Sequence, residues 1–210
     1  MAPRIAPVPV SWDRIDRWLA VHSPDGLAVL APPVKEEELR EAARVLGREL
    51  PAELAESLRC HDGATRWTTV LPEQSPLSAA EVARHWHMYG GIAAENDGLR
   101  PLHGDDEPWW HPRWIPWAEG AGGDAQVIDT RPGPDAGRLG WAGHGGGGDF
   151  VDSWPGLGAL LHAVAEALHH GGGVRDLHPF LGADGVLLWE EAGSRDVHGS
   201  PLVPAPVGLP

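Results

Sequence analysis

Residues 114–129, WIPWAEGAGGDAQVID, set two apolar segments on either side of a short glycine-rich turn. The first segment, from Trp114, predicts a strand, and VID predicts its partner. Strands this close in sequence pair as a hairpin, which commits the chain to an antiparallel sheet. Glu119 and Asp124 lie in the turn among flexible glycines. One reading is a structural corner, where Gly122 and Gly123 supply positive φ and Asp124 accepts backbone N–H groups. The other is the rim of a partner-binding face.

The flanking segments read as helices before the hairpin and a helix after it. Ser11 is placed to cap a helix over WDRIDRWL, and Pro24-Asp25-Gly26 reads as a turn. KEEELREAARVLG carries Leu39, Ala42 or Ala43, and Leu46 on one stripe, acids in its first turn and Gly47 as a stop. A second helix follows at once, with Pro51 in its first turn and Leu54 and Leu58 on one face. WTTVL, 67–71, is rich in β-branched residues and predicts a short strand. Ser78 and Glu81 form a capping box for AAEVARHWHMYG. Residues 90–108 read as irregular. After the hairpin, 133–137 reads as a turn and GRLGWAG as a further strand. WPGLGALLHAVAEALHHG then has helical period, and GVLLWE is a last strand. This order predicts an α+β fold, helices packed around a bent, mostly antiparallel sheet, rather than βαβ units. The expected organisation is a flexible N-terminus at 1–10, one α+β domain at 11–190, and a Pro-rich tail at 191–210 that should form neither helix nor strand.

The chain has 210 residues, enough for one sizeable core. It has no apolar run long enough to span a bilayer. No signal peptide is evident and Cys60 is the single cysteine, so the expected compartment is the cytoplasm. The formal charge of −14 argues against a non-specific grip on nucleic acid and permits a basic protein partner.

No motif spells out catalysis. Cys60, His61 and Asp62 are adjacent and cannot form a nucleophile–base–orienter set. His85 and His87 are two apart on a helix and do not converge. Glu119, Asp124 and Asp129 lack the ligand spacing of a cation loop. The glycine run at 145–148 lacks the Lys-Ser/Thr pair of a phosphate cradle. The expectation is therefore no catalytic residue, no metal and no cofactor. Trp67, Trp86, Trp114, Trp154 and Trp189 sit in periodic segments and read as core or half-core. Trp109 and Trp110 stand beside Asp105, Asp106 and Glu107. That set either forms a hot spot for a basic partner or folds back to cap the sheet.

Three pieces together resemble one family: LGRELPAELAESLRCHDG, the WIPWAEGAGGDAQVID hairpin, and GGGGDFVDSWPGLGALL. Over about residues 12–170 the chain resembles the SMI1/KNR4 family, the SUKH superfamily, and within it a bacterial member. The motif positions here are Leu50, Pro51, Asp62, Gly63, Trp114, Ile115, Pro116, Trp117, Gly122, Gly123, Asp124 and Asp129. Residues 100–113 and the tail beyond 175 depart from the pattern. The resemblance implies a non-enzymatic protein-binding module. In bacterial members this is immunity against a toxin or nuclease domain; in fungal relatives it is regulation of cell-wall synthesis or signalling. The expected contact residues are Asp105, Asp106, Glu107, Trp109, Trp110, Glu119 and Asp124.

Overall fold

The computed structural model describes residues 4–101, 103, 106–143 and 145–209. Helix α1 (Val8–His22) begins at Pro7, and Pro9 sits in its first turn, where a missing N–H costs nothing. Ser11 is therefore not the cap but a buried residue inside the helix. The expected turn at Pro24 is a five-residue helix, α2 (Pro24–Ala28). Helix α3 (Glu36–Leu46) closes on Gly47 in the left-handed conformation, as its sequence predicts. Helix α4 (Ala52–Leu58) uses Pro51 as its N-cap rather than in its first turn.

WTTVL does not form a strand. Its polar groups reach across the chain instead of along a ladder: Thr69 donates its hydroxyl to the Leu187 carbonyl, and Trp189 Nε1 donates to Val70 O. Trp67 is left 43% exposed, against the expectation of a core position. The strand falls just downstream, as β1 (Gln74–Pro76). Ser78 and Glu81 cap helix α5 (Ala79–Glu95) reciprocally, as expected. The helix runs on through Gly90 and Gly91, because buried Tyr89 and Ala93 hold it against the sheet despite the weak propensity of glycine.

Strands β2 (Trp114–Gly120), β3 (Ala125–Asp129) and β4 (Leu139–Ala142) complete an antiparallel sheet in the order β1-β2-β3-β4. A register irregularity between Pro116 and Ala118 bends β2. Helix α6 (Leu157–His170) packs along α1. Their facing side chains, Trp12, Ile15, Leu19, Leu160, Leu161 and Val164, are at most 1% exposed. The fold is α+β, with helices around a bent antiparallel sheet.

A second sheet contains more than the single strand GVLLWE, here β6 (Leu187–Glu191). It pairs with β5 (Leu177–Gly182), followed by β8 (Ser200–Pro204) and β7 (Asp196–Val197), in the order β6-β5-β8-β7. The tail thus forms a strand after all. Pro201 and Pro204 lie near its ends, while Leu202 between them is buried and donates its N–H to Arg195 O. Beyond it, Pro206 O accepts from Trp18 Nε1 at 2.9 Å and Gly208 N–H donates to Leu168 O. The proline-rich end is therefore laid against α1 and α6.

The stop after α4 carries a charge pair. His61 Nδ1 donates to the Ala31 carbonyl, and Nε2 lies 3.0 Å from both Asp16 oxygens. Both ring nitrogens face acceptors, which suits the imidazolium. Burial works against that charge, but the Asp16 carboxylate outweighs it and the His61 pKa is raised. A raised folded value adds stability that is complete below the unfolded value near 6.5 and fades as pH rises through the folded one. Asp16→Asn should cost about 1–2 kcal/mol at pH 6 and clearly less at pH 8. Thermal melts of both proteins at the two pH values check this; an equal loss at both would refute the charged pair.

Candidate functional site

One face of the first sheet carries a second, aromatic core. Tyr89 of α5 stacks on Trp110 at 4.9 Å, Trp110 meets Trp114 edge-on at 6.1 Å, and Trp114 touches Phe150 at 5.3 Å. Trp110 is 0% exposed. Its expected place among the partner-contacting residues is corrected: a large aromatic ring with Tyr89 and Trp114 to pack against folds inward. Trp109 packs beside it against Tyr89 and remains part-exposed.

The segment at 106–113, an insert in the family pattern, is fastened to the sheet by four charged side chains, Glu107, Asp129, Arg131 and Arg138. Asp129, 2% exposed, accepts from the Arg131 backbone N–H at 3.0 Å and from its guanidinium at 2.7–3.0 Å. Glu107 takes two more bonds from Arg131, both 2.7 Å, and Arg138 reaches both acids at 3.3 Å. Arg138 also lies 4.2 Å over the Phe150 ring. Burial disfavours the Asp129 carboxylate, but the Arg131 hydrogen bonds overcome this and hold its pKa below the usual value. The same two acids push the Arg131 pKa up. Neither arginine was singled out in the sequence, because nothing local links 107 to 129, 131 and 138.

The glycine run closes over the insert. Gly148 donates its N–H to Pro108 O at 2.9 Å, and a β-carbon there would sit 2.2 Å from the Trp114 ring. Gly145–Gly148 line a cleft of about 640 Å³ together with Ile92 and Asp97. Asp106, Glu107 and Trp109 line it too, so three of the expected contact residues come together. Asp105 lies outside the described residues. Met88, Ile92 and Leu99 leave exposed apolar surface along and just beyond α5.

Glu119 and Asp124 sit on the hairpin rather than in the cleft. Tyr89 links the two places: its ring packs on Trp109 and Trp110, and its hydroxyl donates to Gly123 O at 3.1 Å. Burial, followed by the charges of Glu119 and Asp124, raises the Tyr89 pKa. His85, one turn earlier, is buried 3.8 Å from Glu119, and desolvation lowers its pKa.

The remaining motif residues have structural work. Trp114, Ile115 and Trp117 are at most 1% exposed. Asp62 accepts from the Ala79 N–H at 2.7 Å and so supports the start of α5. His61 points to Asp16 rather than to Cys60, whose thiol burial pushes up. Among the described residues, no group of three or more His, Cys, Asp or Glu side chains is arranged to hold a metal ion. No helix among the described residues is long and apolar enough to cross a membrane.

Residues 33–162 match the SMI1 / KNR4 family (SUKH-1). The chain belongs to this family. Both the hairpin and the aromatic face fall within the matched span, whereas the second sheet lies beyond it. Two fungal relatives are similar to this SMI1/KNR4 chain. A glucan synthesis regulatory protein of Neurospora crassa is 24% identical over 173 residues, covering 63% of this chain and 32% of the relative. A KNR4/SMI1 homolog of Kluyveromyces lactis is 37% identical over 54 residues, 26% of this chain and 10% of the relative. The matches thus take in about a third and a tenth of those longer proteins.

Proposed function

We propose that this SMI1/KNR4 chain is a non-enzymatic protein-binding module of the regulatory type, working through the cleft and the apolar edge of α5. The supporting observation is the cleft itself. It is framed by Trp109, Ile92 and carboxylates on an insert that the Glu107–Arg131–Asp129–Arg138 box holds in place. Rigid aromatic and aliphatic side chains ringed by charge are what a protein interface uses for anchoring and orientation. The name of the Neurospora relative, a glucan synthesis regulatory protein, favours a partner in the regulation of glucan synthesis. The net charge of −14 keeps a second reading, immunity-type capture of a basic toxin or nuclease domain, as in bacterial members.

The test is capture of partners from native lysate by the tagged chain, washed at low and high salt and read by mass spectrometry. The wild type should retain one stoichiometric partner. Trp109→Ala should weaken it by about 2 kcal/mol, roughly 30-fold, and Ile92→Glu should abolish it. A partner held equally by wild type and both variants would exclude this face. A cell-wall or signalling partner selects the regulatory reading, and a basic nuclease-like domain selects immunity.

A further inference from the structure

A separate cleft opens between the two sheets, and its floor holds an unpaired polar group. Gln126 of β3 lies opposite Trp141 of β4, and two residues on, Ile128 lies opposite Leu139. Because side chains alternate along a strand, all four point to one face. Ile128 and Leu139 join the main core on that face, while Gln126 and Trp141 reach the cleft. Gln126 is 6% exposed, and its Oε1 is buried without a hydrogen-bond partner. Burying an acceptor without a partner forfeits its hydration, so the Gln126 amide oxygen calls for a donor group.

The surroundings define that group. Five carboxylates line the cleft, Glu73, Asp149, Asp152, Asp176 and Glu191, against the single cation Arg175. None of the five forms an ion pair among the described residues. Trp141 adds an aromatic ring, and Trp154, which also lines the cleft, already carries Arg175 5.0 Å over its ring. Acceptors and carboxylates beside flat aromatic rings match a planar cation with several N–H donors. The volume is about 240 Å³. Drug-sized ligands occupy roughly 300–1,000 Å³, so this space suits a single side chain or small ion rather than a nucleotide. Glu73, Asp152 and Arg175, all on its rim, also hold positive φ of 64°, 52° and 58°, a conformation non-glycine residues rarely keep.

We propose that the inter-sheet cleft binds a guanidinium group, with Gln126 Oε1 accepting one N–H at its floor and the rim carboxylates neutralising the charge. The source is either free arginine or an arginine on a peptide. The site shares no lining residue with the α5 cleft, so the two proposals stand or fall separately.

The experiment is titration of the full chain with free arginine, with a blocked Gly-Arg-Gly peptide and with its citrulline counterpart, a neutral near-isostere. Calorimetry and the Gln126 side-chain amide NMR signals report binding. Saturable arginine binding, at least about tenfold tighter than citrulline (1.4 kcal/mol), with a shift of the Gln126 amide, is expected. Tighter binding of the peptide points to a partner protein; equal or tighter binding of free arginine points to the amino acid. Gln126→Leu should lose binding while melting no lower than wild type, since it removes an unpaired buried polar group. Asp152→Asn, at an exposed rim position, should weaken binding without unfolding. Arginine and citrulline binding alike, no saturation by about 5 mM, or undiminished binding by Gln126→Leu would overturn the assignment.

Discussion

Gly63→Ala should destabilise the protein by roughly 3 kcal/mol or more. Two costs add. Gly63 has φ +70°, which penalises any residue with a β-carbon. That carbon would also lie 2.4 Å from Ser78 N and 2.5 Å from Leu77 C. These are backbone atoms and cannot rotate away as a side-chain tip would. They belong to the segment that leads from β1 into the capped start of α5. Around them, Ala64 N–H donates to Pro76 O, Ala31 N–H to Gly63 O and Asp62 N–H to Pro32 O. A shift to relieve the contact would therefore disturb several elements at once. Gly47→Ala separates the two costs. Gly47 has φ +66° but nothing within 4 Å of an added β-carbon, so about 1 kcal/mol is expected there. Denaturant melts of both variants check this. Equal losses would mean that backbone conformation alone governs Gly63.

Asp129→Ala should cost about 3 kcal/mol, because it leaves two part-buried guanidinium groups to one remaining acid. Asp129 also organises the turn from β3 to β4: its carboxylate accepts the Arg131 N–H, and its carbonyl accepts the Gly137 N–H at 2.7 Å. Glu107→Ala should cost less, about 1–2 kcal/mol, because its side chain is 25% exposed and water can replace it. The pH dependence has a definite sign. A carboxyl with a lowered folded pKa contributes stability above its unfolded value, near 3.8, and loses it as pH falls through the folded value. The wild type should thus lose part of its margin over Asp129→Ala only in acid, and the two curves should converge there. Chemical denaturation at pH 7 and below pH 4 tests this. A constant gap between the two proteins down to the acid limit would remove the ionic box as its cause.

These two sites differ in how far they could be read from the chain. Gly63 stands in a helix-stop signal, and the resemblance marks it, although its contact with Leu77 and Ser78 does not show in the sequence. Asp129 reads as an acid ending a strand; its two arginine partners follow at 131 and 138, but nothing local says that Glu107 joins them. Trp110 shows the same limit from the other side. Flanked by acids and prolines, it reads equally as an exposed anchor or a cap, and only its stacking on Tyr89 decides.

What the sequence determined by itself is the set of features encoded within a few residues. Acids in the first turn and Gly47 at the end define α3, Ser78 and Glu81 define the start of α5, and the spacing of leucines defines α6. Glycines between two apolar segments define the β2–β3 hairpin. Each is a local preference that holds whatever the rest of the chain does. Tertiary structure decided the rest. β8 exists because β5 offers an edge to a proline-rich segment, and WTTVL fails as a strand because its polar groups meet the second sheet. Gly90 and Gly91 stay helical because α5 is pinned by its buried side chains. The ionic box and the Gln126 cleft join residues brought together only by the folded chain. Pairing and burial free energies depend on which surfaces meet, and that relation is a property of the whole fold.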